Sequence, residues 1–149
     1  MTRPRPYVLV VDDVADVADS MAALLTLWGY DAVARYCGCS ALAAVRARRP
    51  AAVLLDIGMA PMDGFTFADF LRGQFWREST PVIALTGNTT EACRVRARGL
   101  GIKHLLLKPA EPTQVRELLE RLRARRSPAS LPFGRLGGPL APDRRVGRV

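Results

Sequence analysis

Five polar residues stand where apolar runs of the chain end. Asp12 and Asp13 follow Val8-Leu9-Val10-Val11, and Asp56 follows Val53-Leu54-Leu55. Thr86 follows Val82-Ile83-Ala84-Leu85, and Lys108 follows Leu105-Leu106-Leu107. Brought together, they offer three carboxylates, a hydroxyl and an ammonium. Close carboxylates repel one another and raise each other's pKa, so a bare cluster is costly. A divalent cation relieves that cost. Mg²⁺ suits it, because it takes few protein carboxylates and keeps waters and phosphate oxygens as its other ligands. Asp56 has no second carboxylate beside it and is the candidate nucleophile, since a carboxylate can attack phosphorus and form an aspartyl phosphate. A metal and a lysine then offset charge on the transferring group. Lys108 is one of two lysines in a chain with 20 arginines, which points to a required point charge that a planar guanidinium does not reproduce. Thr86 can bond a phosphoryl oxygen, and Gly87 after it leaves room for the ligand. Taken singly, each residue has an ordinary alternative: a capping aspartate, a snorkelling lysine, a β-branched strand residue. The combination favours the chemistry.

Such residues act together only if the fold converges them. Short apolar runs separated by helical patterns read as buried parallel strands. In an open parallel sheet, ligands bind just beyond the carboxyl ends of the strands. The runs give strands at Tyr7–Val11, Asp31–Tyr36, Ala52–Asp56, Thr80–Thr86 and Lys103–Leu107, the second a weaker, alternating edge strand. Helical spacing of Val14, Val17, Met21, Leu24 and Trp28 predicts a first helix closed by Gly29. Ser40 is the expected cap of the second helix, with Leu42 and Val45 inward and Pro50 as terminator. A loop over Gly58–Gly64 precedes a third helix with Phe67, Phe70 and Leu71 inward. Thr89 caps a fourth helix that runs through Cys93 to Leu100. A fifth follows Pro112, with Val115, Leu118, Leu119 and Leu122 on one face. Strict alternation of five strands and five helices predicts an α/β, doubly wound parallel sheet with helices on both faces.

Composition narrows the class. The 149 residues suffice for one domain with a real core. No apolar run approaches a membrane span, and no signal-peptide pattern precedes the first strand, so a cytoplasmic location is expected. Cys37, Cys39 and Cys93 are odd in number and lack a C-x-x-C pair, which argues for reduced, buried or half-buried thiols. The net charge of +8 is diffuse. Residues 127–149 carry four prolines, four glycines and a net +3, and read as a disordered basic tail after a domain over 1–126.

The runs VLVVDD at 8–13, LLDIGMAPMDGF at 54–65, ALTG at 84–87 and LLLKP at 105–109 resemble the receiver domain of bacterial two-component response regulators. The likeness covers about residues 6–124 and is closest to receivers of hybrid histidine kinases and their free-standing relatives. It implies a flavodoxin-like five-stranded sheet in the order 2-1-3-4-5. It implies that Asp56 accepts a phosphoryl group from a histidine kinase or histidine phosphotransfer protein. Asp13, Asp56 and the backbone carbonyl of Gly58 would bind Mg²⁺ directly, with Asp12 acting through water. Thr86 would turn onto the phosphoryl group and Lys108 would pair with it. Gly58 and Asn88 would tune phosphoryl lifetime, and Lys108-Pro109 is a frequent cis site in this family. The switch would bias the packing of helix four, strand five and helix five.

Three departures stand out. Leu105 replaces the usual aromatic three positions before the lysine, so the relay to partners is expected to differ. His104 beside it points to the opposite face and reads as an ordinary surface residue. Ala60-Pro61 stands where Pro-Gly is common, and the fourth helix carries Arg94, Arg96 and Arg98, either a solvated face or a docking one. The expected function is a phosphoacceptor switch without enzymatic output, signalling by protein contact. No output domain is read after residue 126, and nucleic acid is not an expected partner. The alternative is a regulator whose basic tail binds DNA or an acidic membrane surface. A phosphohydrolase of the haloacid dehalogenase type is disfavoured, because that family needs an aspartate two residues after its nucleophile and here Gly58 stands there. A receiver-like domain that never takes phosphate is disfavoured because every site residue is present.

Overall fold

In a computed structural model, which describes residues 3–74 and 80–126, each apolar run lies in a parallel strand. The strands are β1 (Tyr7–Val11), β2 (Asp31–Arg35), β3 (Ala52–Asp56), β4 (Val82–Thr86) and β5 (His104–Leu107). Between and after them run α1 (Ala15–Leu27), α2 (Gly38–Ala47), α3 (Gly64–Arg72), α4 (Glu91–Gly99) and α5 (Pro112–Arg126). The sheet order is β2-β1-β3-β4-β5, all parallel. β1 and β3 are buried along their whole length, as strands covered on both faces must be. Alternation along them divides the core. Leu9, Val11, Val53 and Leu55 pack with residues of α2 and α3 on one face. Val8, Val10 and Leu54 pack with Ala18, Leu25, Val115 and Leu119 of α1 and α5 on the other.

The inward face of α1 lies one residue from the expected one. Ala18 and Leu25 are buried, with Met21, Ala22 and Trp28 packed partly against them. Val14 and Val17 are exposed. Val14 is the N-cap in extended conformation, so it stands outside the helix although it matches the helical spacing in the sequence. On α3, Phe67 and Leu71 are buried but Phe70 is about half exposed. On α2, Ala41 and Val45 are buried and Leu42 is partly so. Small residues thus hold two of the helix–sheet contacts, and hydropathy ranks them below their bulkier neighbours.

Two caps differ from expectation. Cys37, not Ser40, caps α2, its sulfur accepting from the Ser40 N–H at 3.4 Å. The Ser40 contacts hold the Cys37 thiol below its usual range. Thr90, not Thr89, caps α4 through the Cys93 N–H at 3.4 Å. Gly29 follows α1 at φ 95°, the left-handed position a C-terminal glycine serves. β4 starts two residues later than expected, and the Thr80 hydroxyl instead donates to the Pro50 carbonyl at 3.1 Å. β2 ends one residue earlier, at Arg35, and β5 starts one later, at His104. All three cysteines are free, but Cys39 is exposed rather than buried. The expected tail over 127–149 lies outside the described residues. Among the described residues, no helix is long and apolar enough to cross a membrane.

Candidate functional site

Main-chain hydrogen bonds carry the sheet past its formal ends and fix the residues there. The Asp12 N–H donates to Arg35 O at 3.1 Å, Ile57 N–H to Leu85 O at 2.9 Å, and Lys108 N–H to Thr86 O at 2.8 Å. Asp12, Asp56 and Lys108 therefore sit on rigid backbone, although loops follow each of them. Carboxylate oxygens of Asp12, Asp13 and Asp56 lie within 4.8 Å of one another. Asp12 and Asp56 are only 2 % and 5 % exposed, whereas Asp13 faces solvent. The Lys108 ammonium crosses the sheet to them, with Nζ 3.2 Å from Asp12 Oδ2 and 3.5 Å from Asp56 Oδ1. The other Asp12 oxygen, Oδ1, accepts from the Val14 N–H at 2.9 Å. Asp56 Oδ1 also accepts from the Gly58 N–H at 3.0 Å.

Burial pushes the Asp56 carboxyl above the usual aspartate range, and the Asp12 and Asp13 charges add to it. The Gly58 N–H and Lys108 oppose the rise without cancelling it. Burial would lower the Lys108 ammonium, but the contacts with Asp12 and Asp56 outweigh it and hold that ammonium above its ordinary value. Lys108 is thus a fixed cation, and the cluster around it remains short of positive charge. Oxygen ligands in this number and spacing fit a hard divalent cation such as Mg²⁺.

Thr86 lies at the same end of the sheet and is buried, but its hydroxyl is engaged locally. It donates to the Asn88 carbonyl at 3.0 Å and accepts from the Asn88 N–H at 3.0 Å. Its expected turn onto a phosphoryl group is therefore not the arrangement of the unmodified protein. The Asn88 side chain in turn accepts from the Thr90 N–H at 2.9 Å. Open space surrounds Gly87, and a Cβ on Gly58 would meet Asp56 Oδ1 at an ordinary 3.7 Å. Lys108-Pro109 is cis, and so is Ala60-Pro61 in the loop after Asp56. Leu105 packs partly into the α2–α3 side of the core. His104 is half-buried rather than a plain surface residue, near enough to α5 for the Arg121 and Arg125 charges to act on it. Burial there, with the Arg125, Arg121 and Lys103 charges, pushes its imidazole below the usual range. Of the α4 arginines, Arg96 lies over the Phe65 ring at 4.4 Å and Arg98 pairs with Glu91 at 3.2 Å.

Sequence reasoning missed Gly64. A Cβ there would lie 2.5 Å from the Asp56 carbonyl oxygen and 2.7 Å from the Ile57 Cα, both backbone atoms. The Gly64 N–H also donates to Ile57 O at 3.0 Å. This close approach anchors the start of α3 against the strand end that carries Asp56. The only signal in the sequence is the glycine itself after Asp63, the α3 cap.

The family model of the response regulator receiver domain matches residues 8–120. The chain belongs to this family. Among curated relatives, the DNA-binding response regulator MtrA of Mycobacterium tuberculosis is 34 % identical over 125 residues, covering 84 % of this chain and 52 % of MtrA. The transcriptional regulatory protein ZraR of Salmonella typhimurium is 32 % identical over 145 residues, covering 92 % of this chain and 32 % of ZraR. The chain thus spans about half the length, or less, of these relatives. DNA binding is named for MtrA, so such relatives lend no support to the expectation that nucleic acid is no partner. Among solved structures, the chemotaxis protein CheY4 of Vibrio cholerae matches with TM-score 0.75 and 28 % identity, over 79 % of this chain and 98 % of that one. A response regulator receiver protein from Pseudomonas putida matches with TM-score 0.74 and 28 % identity, over 80 % and 99 %. The expected sheet order is thus that of a receiver domain. Receiver domains interact with histidine kinases or phosphotransfer proteins and bind Mg²⁺ at an acidic cluster, and Asp12, Asp13 and Asp56 form such a cluster here.

Proposed function

We propose that this receiver domain accepts a phosphoryl group on Asp56 from a phosphohistidine donor and signals through protein contact. The supporting observation is the buried Asp56 carboxylate, placed within reach of two further aspartates and one lysine. Asp13, Asp56 and the Gly58 carbonyl would hold Mg²⁺ directly, with Asp12 acting through water. The ion, when bound, supplies charge neutralisation to the phosphoryl oxygens. Everything else falls to the chain. An Asp56 carboxylate oxygen forms the new O–P bond while the donor's N–P bond breaks, and that electron pair stays on the imidazole. The raised Asp56 pKa marks a charge short of solvation, which favours a carboxylate that shares its electrons. Lys108 stays protonated and meets the charge on the acquired oxygens.

The Thr86 hydroxyl has one proton, now given to Asn88 O. A phosphoryl oxygen is the stronger acceptor, so phosphorylation draws that proton away and breaks the bond to the Asn88 carbonyl, leaving the Thr86 oxygen only the Asn88 N–H. The loop leading into α4 is thereby released, and the change passes to the α4–β5–α5 face. Leu105, without a ring or hydroxyl, responds by packing alone. Gly58 and Asn88, flanking the acceptor, tune the lifetime of the phosphoryl group.

The test is incubation with acetyl phosphate and Mg²⁺ followed by intact-mass measurement. One phosphoryl group is expected on the native protein and none on Asp56→Ala or without Mg²⁺. An unmodified native protein under these conditions overturns the proposal.

A further inference from the structure

A second concavity lies at the amino ends of the strands, across the sheet from the acidic crevice. It measures about 260 Å³, and Leu119 and Leu122 supply apolar wall between the starts of β1 and β3. Arg3, Arg123 and Arg126 also line it, and among the described residues no carboxylate does. Arg126 is held in place, since Nη1 donates to the Ala51 carbonyl at 2.8 Å, and among the described residues its other N–H groups make no further hydrogen bond. Tyr30 completes the lining. Its side chain is 3 % exposed, and its hydroxyl is the one buried side-chain polar atom without a hydrogen bond among the described residues. The Arg123 guanidinium lies 5.9 Å from the Tyr30 ring centre and approaches the phenol, but a guanidinium only donates and so gives the hydroxyl proton no acceptor. Burial keeps the phenol protonated, so it is a donor without an acceptor. Leaving a buried hydroxyl unpaired costs about 1–3 kcal/mol, which a protein rarely carries without a use.

Donors without acceptors, an excess of positive charge and apolar walls together define the missing partner. We propose that this pocket binds a small amphipathic anion, a phosphate or carboxylate on a ring-sized apolar body. The anionic group accepts from Arg123, Arg126 and Tyr30, and the body covers Leu119 and Leu122. The volume lies just below the usual range of about 300–1,000 Å³ for ligand sites, which restricts the occupant to a small molecule. The site is independent of Asp56 and of the proposed phosphoryl chemistry.

The test is an NMR titration of the ¹⁵N-labelled full chain without Mg²⁺. The probes are 1-naphthyl phosphate and 2-naphthoate, with inorganic phosphate and 1-naphthol as controls. Both amphipathic anions are expected to shift the amides of Ala51, Ala52, Leu119 and Leu122, with Kd below about 1 mM. The two controls bind at least about tenfold more weakly. The pair Arg123→Gln and Arg126→Gln weakens binding about tenfold, Tyr30→Phe about threefold, and Asp56→Asn leaves it unchanged. If the probe that binds better is the phosphate or the carboxylate, that names the anionic group. Absence of shifts at these amides, shifts centred on the acidic crevice, or equal binding of 1-naphthol would each overturn the proposal. So would the same amides moving without ligand in a Leu131→Asp, Phe133→Asp variant, which would make the chain's own carboxyl-terminal segment the occupant.

Discussion

Asp56 carries a charge that its surroundings only partly compensate. Its folded pKa is raised, chiefly by burial, so any stability it contributes is present at low pH and lost as pH rises through the raised value. At neutral pH without metal the ionised group therefore works against folding. Asp56→Asn removes the charge and keeps the shape. It should raise stability by about 1 kcal/mol in metal-free buffer, read from urea unfolding. A loss of stability would show that the carboxylate is comfortable as an anion. Lys108 is the opposite case. Lys108→Ala leaves three carboxylates without their ammonium and should cost about 2 kcal/mol, discounted for partial exposure of the lysine. Millimolar Mg²⁺ should then raise Tm more in Lys108→Ala than in the native protein, because more repulsion remains to be relieved. An equal or smaller rise would mean that the lysine and the metal do not answer the same charge.

At the scale of elements, the strand ends were legible in the sequence and the helix faces were not. β1 and β3 follow the expected boundaries residue for residue, because a strand buried on both faces is a continuous apolar run that stops where its end meets water or a site. The convergence of Asp12, Asp13, Asp56, Thr86 and Lys108 at one end of the sheet was legible for the same reason. The face of α1 was not, because a helix that approaches a sheet closely selects alanine at the contact, and Ala18 carries no hydropathy signal beside Val14 and Val17. Ala18→Val should cost about 1–3 kcal/mol by overpacking, while Val17→Ser should be nearly neutral. The reverse result would restore the expected face. Gly64 and the Tyr30 hydroxyl were invisible because close backbone approach and unpaired burial are tertiary facts with no period. Gly64→Ala should destabilise by more than about 2 kcal/mol, since the backbone of Asp56 and Ile57 must move away from the new Cβ. Thermal unfolding reads the change, and a native Tm would show that the α3 start is free to shift. The Thr86–Asn88 bond was likewise illegible, because the sequence shows which hydroxyl is available and not which acceptor holds it.

The whole molecule places its two charged concavities at opposite ends of one sheet, acidic at the carboxyl ends of the strands and basic at the amino ends. The rigid strands between them do not offer a second packing. The α4–β5–α5 side is the proposed place of the switch, and it is loosely held: β5 is an edge strand with no fully buried residue and α4 buries only Ala97 among the described residues. Phosphorylation should therefore change amide exchange over Glu91–Gly99 and His104–Leu107 and leave Tyr7–Val11 and Ala52–Asp56 protected. Thr86→Ala should still take the phosphoryl group but lose most of that change. Exchange altered equally in native and Thr86→Ala proteins would remove Thr86 from the relay.

Asp56, among three neighbouring carboxylates, is the one proposed to take phosphorus. Borohydride reduction of the acetyl-phosphate-treated protein converts an aspartyl phosphate to homoserine, and peptide mass spectrometry locates it. Homoserine is expected at position 56 alone. Homoserine at position 12 or 13, or at none of the three, would contradict it.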